Sequence, residues 1–139
     1  MTGQTVRIPA PCDCGALAVR QVNQFVERGE LWWDAEFHCT ACGAHLCEHA
    51  GQGAPPDAHW RPALLAANGP THLRLTGPVP SLVPVLKTFR ELTGAPLPEA
   101  RRLAGELIGG GTTGTLAEME LLRTRLRHHG LQADLSPPE

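Results

Sequence analysis

CDCGALAVRQVNQFVERGELWWDAEFHCTACG, from Cys12 to Gly43, sets a cysteine pair followed by glycine at each end of an alternating stretch. Leu17, Val19, Gln21, Asn23 and Phe25 share one parity, and Arg20, Val22, Gln24 and Val26 the other. On the return, Trp33, Ala35 and Phe37 lie on one face and Trp32, Asp34, Glu36 and His38 on the opposite one. A period of two marks strands, and Glu27-Arg28-Gly29-Glu30 supplies a glycine-bearing turn between them, so the stretch predicts a β-hairpin. Both cysteine pairs then meet at its open end.

Two short loops from distant parts of a chain, each offering two sulfurs, are what a tetrahedral zinc site requires, and glycine after the second cysteine frees the backbone to turn. Cys39-x-x-Cys42-Gly43 has the usual knuckle spacing. Cys12-x-Cys14-Gly15 is one residue shorter, and the interval from Cys14 to Cys39 is longer than a ribbon normally has. The segment resembles the zinc-ribbon class through these knuckles, with Cys12, Cys14, Cys39 and Cys42 as first-choice ligands of a structural Zn2+. His45, Cys47 and His49 are alternatives, since any of them can replace a sulfur of the first loop.

All five cysteines fall between Cys12 and Cys47, and in a reducing compartment such clustering points to metal rather than disulfides. The start, MTGQTVRIPAP, has no basic segment leading into an apolar run, and no stretch reaches the roughly 18 apolar residues of a membrane span. A cytoplasmic protein without membrane contact is expected. With 139 residues, 42% of them hydrophobic, the chain can bury one modest core, or two small ones if metal supports the lesser. Net charge is -2, and residues 1–70 carry four Arg/Lys against seven Asp/Glu, the wrong sign for attracting phosphate backbones. A nucleic-acid or ribosome-associated ribbon, with Trp32 and Trp33 stacking on bases, is therefore the alternative reading and not the first.

No HExxH motif and no HxE followed by PCxxC is present, and the glycine-rich Gly109–Thr115 lacks the lysine of a phosphate loop. His128-His129 sits where a helix C-terminus favours positive charge. No acid, base or nucleophile constellation stands out, so the expectation is a binding protein and not an enzyme. Acidic residues around the hairpin tip beside Trp32 make that tryptophan one candidate partner anchor.

Organisation is expected as a ribbon over residues 1–52, a linker over 53–70 carrying one short helix with Trp60, Leu64 and Leu65 as docking residues, and a second module over 71–139. There, His72–Thr76 alternates as a strand, and Ser81 caps a helix with Leu82, Val85, Leu86, Phe89 and Leu92 at helical spacing, stopped by Gly94. Pro98–Leu107 forms a second helix, and Thr115-x-x-Glu118 opens a third as a capping box, with Gly130 as its stop. Leu131, Ala133 and Leu135 alternate as a closing strand.

Val83–Gly94 carries the pattern V-x-V-[IL]-K-x-x-R-x-x-T-G, and Leu97–Arg101 carries L-x-E-A-[KR]. Through them, residues 71–135 resemble the C-terminal domain of the bacterial ribosomal stalk protein, large-subunit protein seven/twelve. The resemblance implies an α+β chain overall: a zinc-ribbon hairpin followed by a βααβαβ domain with three helices on a three-stranded sheet. It further implies recognition of translation factors through Val83, Leu86, Lys87, Arg90 and Arg101. Leu82 stands where the family has a lysine, and Pro84 where it has a small residue. Gly109–Gly114 occupies the place of the family's middle strand. The functional expectation is a zinc-containing module for protein recognition, whose partner is a translation factor or, for an immunity protein, a toxin.

Overall fold

The computed structural model describes Gly3–Pro138, and the chain divides into two compact units at the Gly69/Pro70 junction. It is a mixed α+β protein with two antiparallel sheets.

In the first unit, β2 (Leu17–Glu27) and β3 (Glu30–His38) form the expected hairpin. Glu27 pairs with Glu30, and the two turn residues between them, Arg28 and Gly29, both have positive φ, 53° and 74°. Such a two-residue loop matches the twist of antiparallel strands. The hairpin is not alone, however. β1 (Gly3–Pro11) pairs with β2, and β4 (His45–Gln52) pairs with β3, giving a four-stranded meander in the order β1-β2-β3-β4. Pro9 and Pro11 in β1 and the glycine of β4 hide both strands from a propensity reading. Both are edge strands, where a missing backbone donor is tolerated.

Parity decides what the sheet buries. Val6, Val22, Trp33 and Ala35 form one core cluster with Trp60 and Leu64, and Ala10, Ala18, Phe37 and Cys39 form a second. Trp60 and Leu64 come from α1 (Trp60–Asn68), so the helix of the stretch expected as a linker closes over the first sheet. Before it, the Asp57 carboxylate accepts the His59 N–H at 2.8 Å, and after it Asn68 Nδ2 donates to the Thr5 carbonyl at 3.1 Å, fastening the helix end to β1.

Arg20 occupies a core parity, opposite Ile8 and Phe37. Its charge is met by Glu48, which accepts from Nε at 2.7 Å and from Nη2 at 3.0 Å. Glu48 is the extra residue of a bulge: Ala35 pairs with His49 and Glu36 with Cys47. A bulge re-aims side chains, and here it delivers a carboxylate to a cation that would otherwise sit among apolar groups.

The second unit runs β5 (Thr71–Leu75), α2 (Val83–Thr93), α3 (Leu97–Gly110), β6 (Thr112–Gly114), α4 (Leu116–His128) and β7 (Ala133–Ser136), with sheet order β6-β5-β7. Leu73, Leu131 and Ala133 meet Val85, Phe89, Ala100, Ala104, Leu107, Met119, Leu122 and Leu126 in one core. Gly94 ends α2 in the left-handed region, φ 67°. The capping box at α4 is complete: Thr115 Oγ1 accepts the Glu118 N–H at 3.2 Å, and Glu118 Oε1 accepts the Thr115 N–H at 3.0 Å. α3 continues past the expected Leu107 to Gly110, and α2 starts at Val83 with Leu82, not Ser81, at its N-cap. The strand expected in the glycine-rich stretch is present as β6, paired to β5 through Thr71↔Gly114 and Leu73↔Thr112. Gly111 makes that turn possible, because with φ 99° a Cβ there would lie 2.4 Å from the Leu73 carbonyl oxygen. No helix among the described residues is long and apolar enough to cross a membrane.

Candidate metal centre

Two loops of matching construction hold the four cysteines. In the first, between β1 and β2, the Cys12 N–H donates to the Ala16 carbonyl at 3.0 Å; in the second, between β3 and β4, the Cys39 N–H donates to the Ala44 carbonyl at 2.9 Å. Gly15 and Gly43 follow the second cysteine of each loop with φ of 91° and 78°, the region that glycine occupies at no steric cost. The shorter spacing of the first loop is absorbed inside the turn. Gly15 N–H bonds to the carbonyl three residues back, Cys12, whereas Gly43 N–H reaches four residues back, to Cys39. One residue fewer between the cysteines is one residue fewer in the hydrogen-bonded ring.

The sulfurs converge. Cys12 Sγ lies 3.7 Å from Cys42 Sγ and Cys14 Sγ 3.7 Å from Cys39 Sγ, and all four fall within 4.8 Å of one another. Sulfurs placed about 2.3 Å from a central ion at tetrahedral angles are separated by about 3.8 Å, whereas a disulfide requires about 2.0 Å. All five cysteines are free thiols. Cys12, Cys14, Cys39 and Cys42 thus lie close enough to hold a metal ion, and among the described residues they are the only group of three or more such ligands gathered so tightly.

The surroundings favour thiolate formation unevenly. The Cys39 thiol is lowered to about 7 by the backbone N–H of Cys42, reinforced by that of Ala41 and by the thiols of Cys14 and Cys42, against the opposing effect of burial. At Cys12 the backbone N–H of Cys14 also favours the thiolate, but burial and the crowding thiols of Cys14, Cys42 and Cys39 outweigh it and push the group up to about 12. Four sulfurs in contact cannot all ionise without a cation between them, which is the electrostatic case for a divalent ion. Small side chains make room for the loops: Ala10, Ala18, Ala16 and Ala44 pack with Phe37 and the buried Cys39 beneath the sulfurs.

No family model, curated protein or solved structure matches the chain.

The three alternative ligands lie outside the sulfur cluster. His45, Cys47 and His49 are spaced by two and read as one face of a strand, but the bulge at Glu48 separates them. His45 and Cys47 are exposed opposite His38 and Glu36, and His49 turns to the other face, its ring 5.9 Å from that of Trp60. Only the pairing pattern reveals this.

Of the candidate partner residues, Val83 is 53% exposed at the start of α2, Lys87 and Arg90 are exposed on the same helix, and Arg101 is exposed on α3. Among the described residues, neither Arg90 nor Arg101 has an ion-pair partner, whereas Arg102 beside them is held by Glu99 and Glu106. Leu86 is partly buried and packs on the core. Lys87 and Arg90 line a concavity with Glu91, Gly94, Ala95 and His129. Trp32 is half-buried: it stacks on Phe25 with ring planes 6° apart, and its Nε1 donates to the Glu27 carbonyl at 3.2 Å. Sequence reasoning did not foresee that it closes its own hairpin.

Proposed function

We propose that the protein is a non-catalytic, zinc-containing module for protein–protein recognition, in which Zn2+ rigidifies the first unit and α2 and α3 of the second present the contact surface. The observation that carries this reading is the sulfur cluster. Four thiolates complete a tetrahedral zinc, leaving no position for substrate or an activated water, so the ion's role is structural. Support for the surface comes from Val83 and Leu97, both exposed, and from the exposed cations Lys87, Arg90 and Arg101 on the same two helices. Exposed apolar side chains and unpaired cations on the same helices suit a partner that offers apolar residues and carboxylates. The resemblance of residues 71–135 to the ribosomal stalk domain favours a translation factor as that partner over a toxin. Trp32 is the weaker candidate, since its ring is already occupied by Phe25.

The test is capture of purified translation-factor GTPases by the tagged, zinc-loaded protein. Capture is expected to fall at least tenfold in Lys87→Glu/Arg90→Glu and to survive in Trp32→Ala. Retention in the first variant with loss in the second would move the contact surface to the hairpin.

A further inference from the structure

The solvent face of the first sheet carries a second group of metal-ligating side chains that the sulfur cluster does not use. β3 and β4 pair Glu36 with Cys47 and His38 with His45, so a carboxylate, two imidazoles and a thiol occupy the four corners of one exposed square. Side chains directly opposite on antiparallel strands have Cβ atoms about 4.5–5.5 Å apart, within reach of a shared ion. The His38 and His45 rings are 5.4 Å apart between centroids, and His45 Nε2 lies 3.6 Å from Glu36 Oε2. Nitrogen and oxygen ligands held about 2.0–2.1 Å from a tetrahedral ion are separated by roughly 3.3 Å, so this diagonal contact nearly spans one edge already. Rotation of exposed side chains completes the rest.

The surroundings leave the square available. On the β2 side, Glu36 is flanked by Gln21 and His38 by Val19, neither of which is a cation. Among the described residues, the ion-pair partner of Glu36 is His45, itself a member of the group. The bulge at Glu48 keeps Cys47 on this face while turning His49 away, so the set is closed at four.

We propose that Glu36, His38, His45 and Cys47 form a second metal site, specific for a divalent transition ion of borderline softness such as Zn2+. Two imidazoles and a thiol exclude Mg2+ and Ca2+, which require oxygen ligands. All four members are exposed, which makes the site exchangeable, whereas the sulfur cluster includes the fully buried Cys39 beside the exposed Cys14 and Cys42.

Calorimetric titration with Zn2+ tests it, on full-length reduced protein whose first site is already loaded. One further equivalent is expected, and a chromophoric chelator should strip it while leaving the first in place. His38→Ala/His45→Ala should abolish this equivalent with the far-ultraviolet circular dichroism unchanged, and Cys47→Ser should weaken it about tenfold or more. A wild-type protein that takes up no second equivalent, or a double variant that still does, overturns the site. Should the double variant misfold, Glu36→Gln decides: at least tenfold weaker uptake supports the site and undiminished uptake overturns it.

Discussion

The two units are nearly equal in length and reach order by different means. The second gathers eleven buried residues, all apolar, into one cluster between helices and sheet. The first divides its apolar residues between two small clusters, one backed by α1 and the other made of alanines, Phe37 and Cys39 beneath the sulfurs. A core of alanines contributes little, since burial yields only about 25 cal/mol per Å2 of apolar area. Where side chains are this small, an ion held by the four sulfurs would supply what packing does not, on the order of 10 kcal/mol for a structural zinc. On the proposed reading, the first unit depends on its metal and the second does not.

The largest expected effect is that of removing the proposed ion. Trp32, Trp33 and Trp60 all lie in the first unit, so tryptophan fluorescence reports that unit alone, while most helical residues lie in the second. Chelation, or Cys39→Ser, is expected to red-shift the tryptophan emission and abolish its cooperative transition while most of the helical circular dichroism persists. Simultaneous loss of both signals would erase the distinction. The reciprocal experiment is Leu126→Ala, which opens a cavity in the second core and should cost about 2–5 kcal/mol there, read from the helical signal, with the tryptophan midpoint unmoved. The smallest effect comes from Thr115→Ala, which removes one half of the capping box and should lower the stability of the second unit by about 1 kcal/mol in chemical denaturation. An equal shift of the tryptophan midpoint in that variant would mean that the units unfold as one.

What could be read in the sequence is what depends on local chemistry. The β2/β3 turn, the four cysteines, the Thr115 capping box and the stop at Gly94 each rest on a few adjacent residues whose conformational preferences act without tertiary help. β1 and β4 stayed hidden because proline and glycine argue against strands, and their hydrogen bonds exist only through pairing with a neighbour; β6 was expected only through the resemblance of residues 71–135, its glycines giving no strand signal of their own. His49 illustrates the limit most sharply. Its spacing from His45 and Cys47 puts all three on one face, and a single extra residue, invisible until the register is known, turns it to the other. Trp32 shows a different limit, since an aromatic beside an acidic turn reads as an anchor and only the strand register reveals that Phe25 stacks against it.

Gly111 has a consequence for how the second unit tolerates change. The Leu73 carbonyl occupies the space where any side chain would begin, so a saturation scan should find this position as unforgiving as a nucleophile, alanine included. The intolerance would carry no information about chemistry. It would record only that a main-chain carbonyl, with the His72 ring beside it, already fills the space a side chain would need.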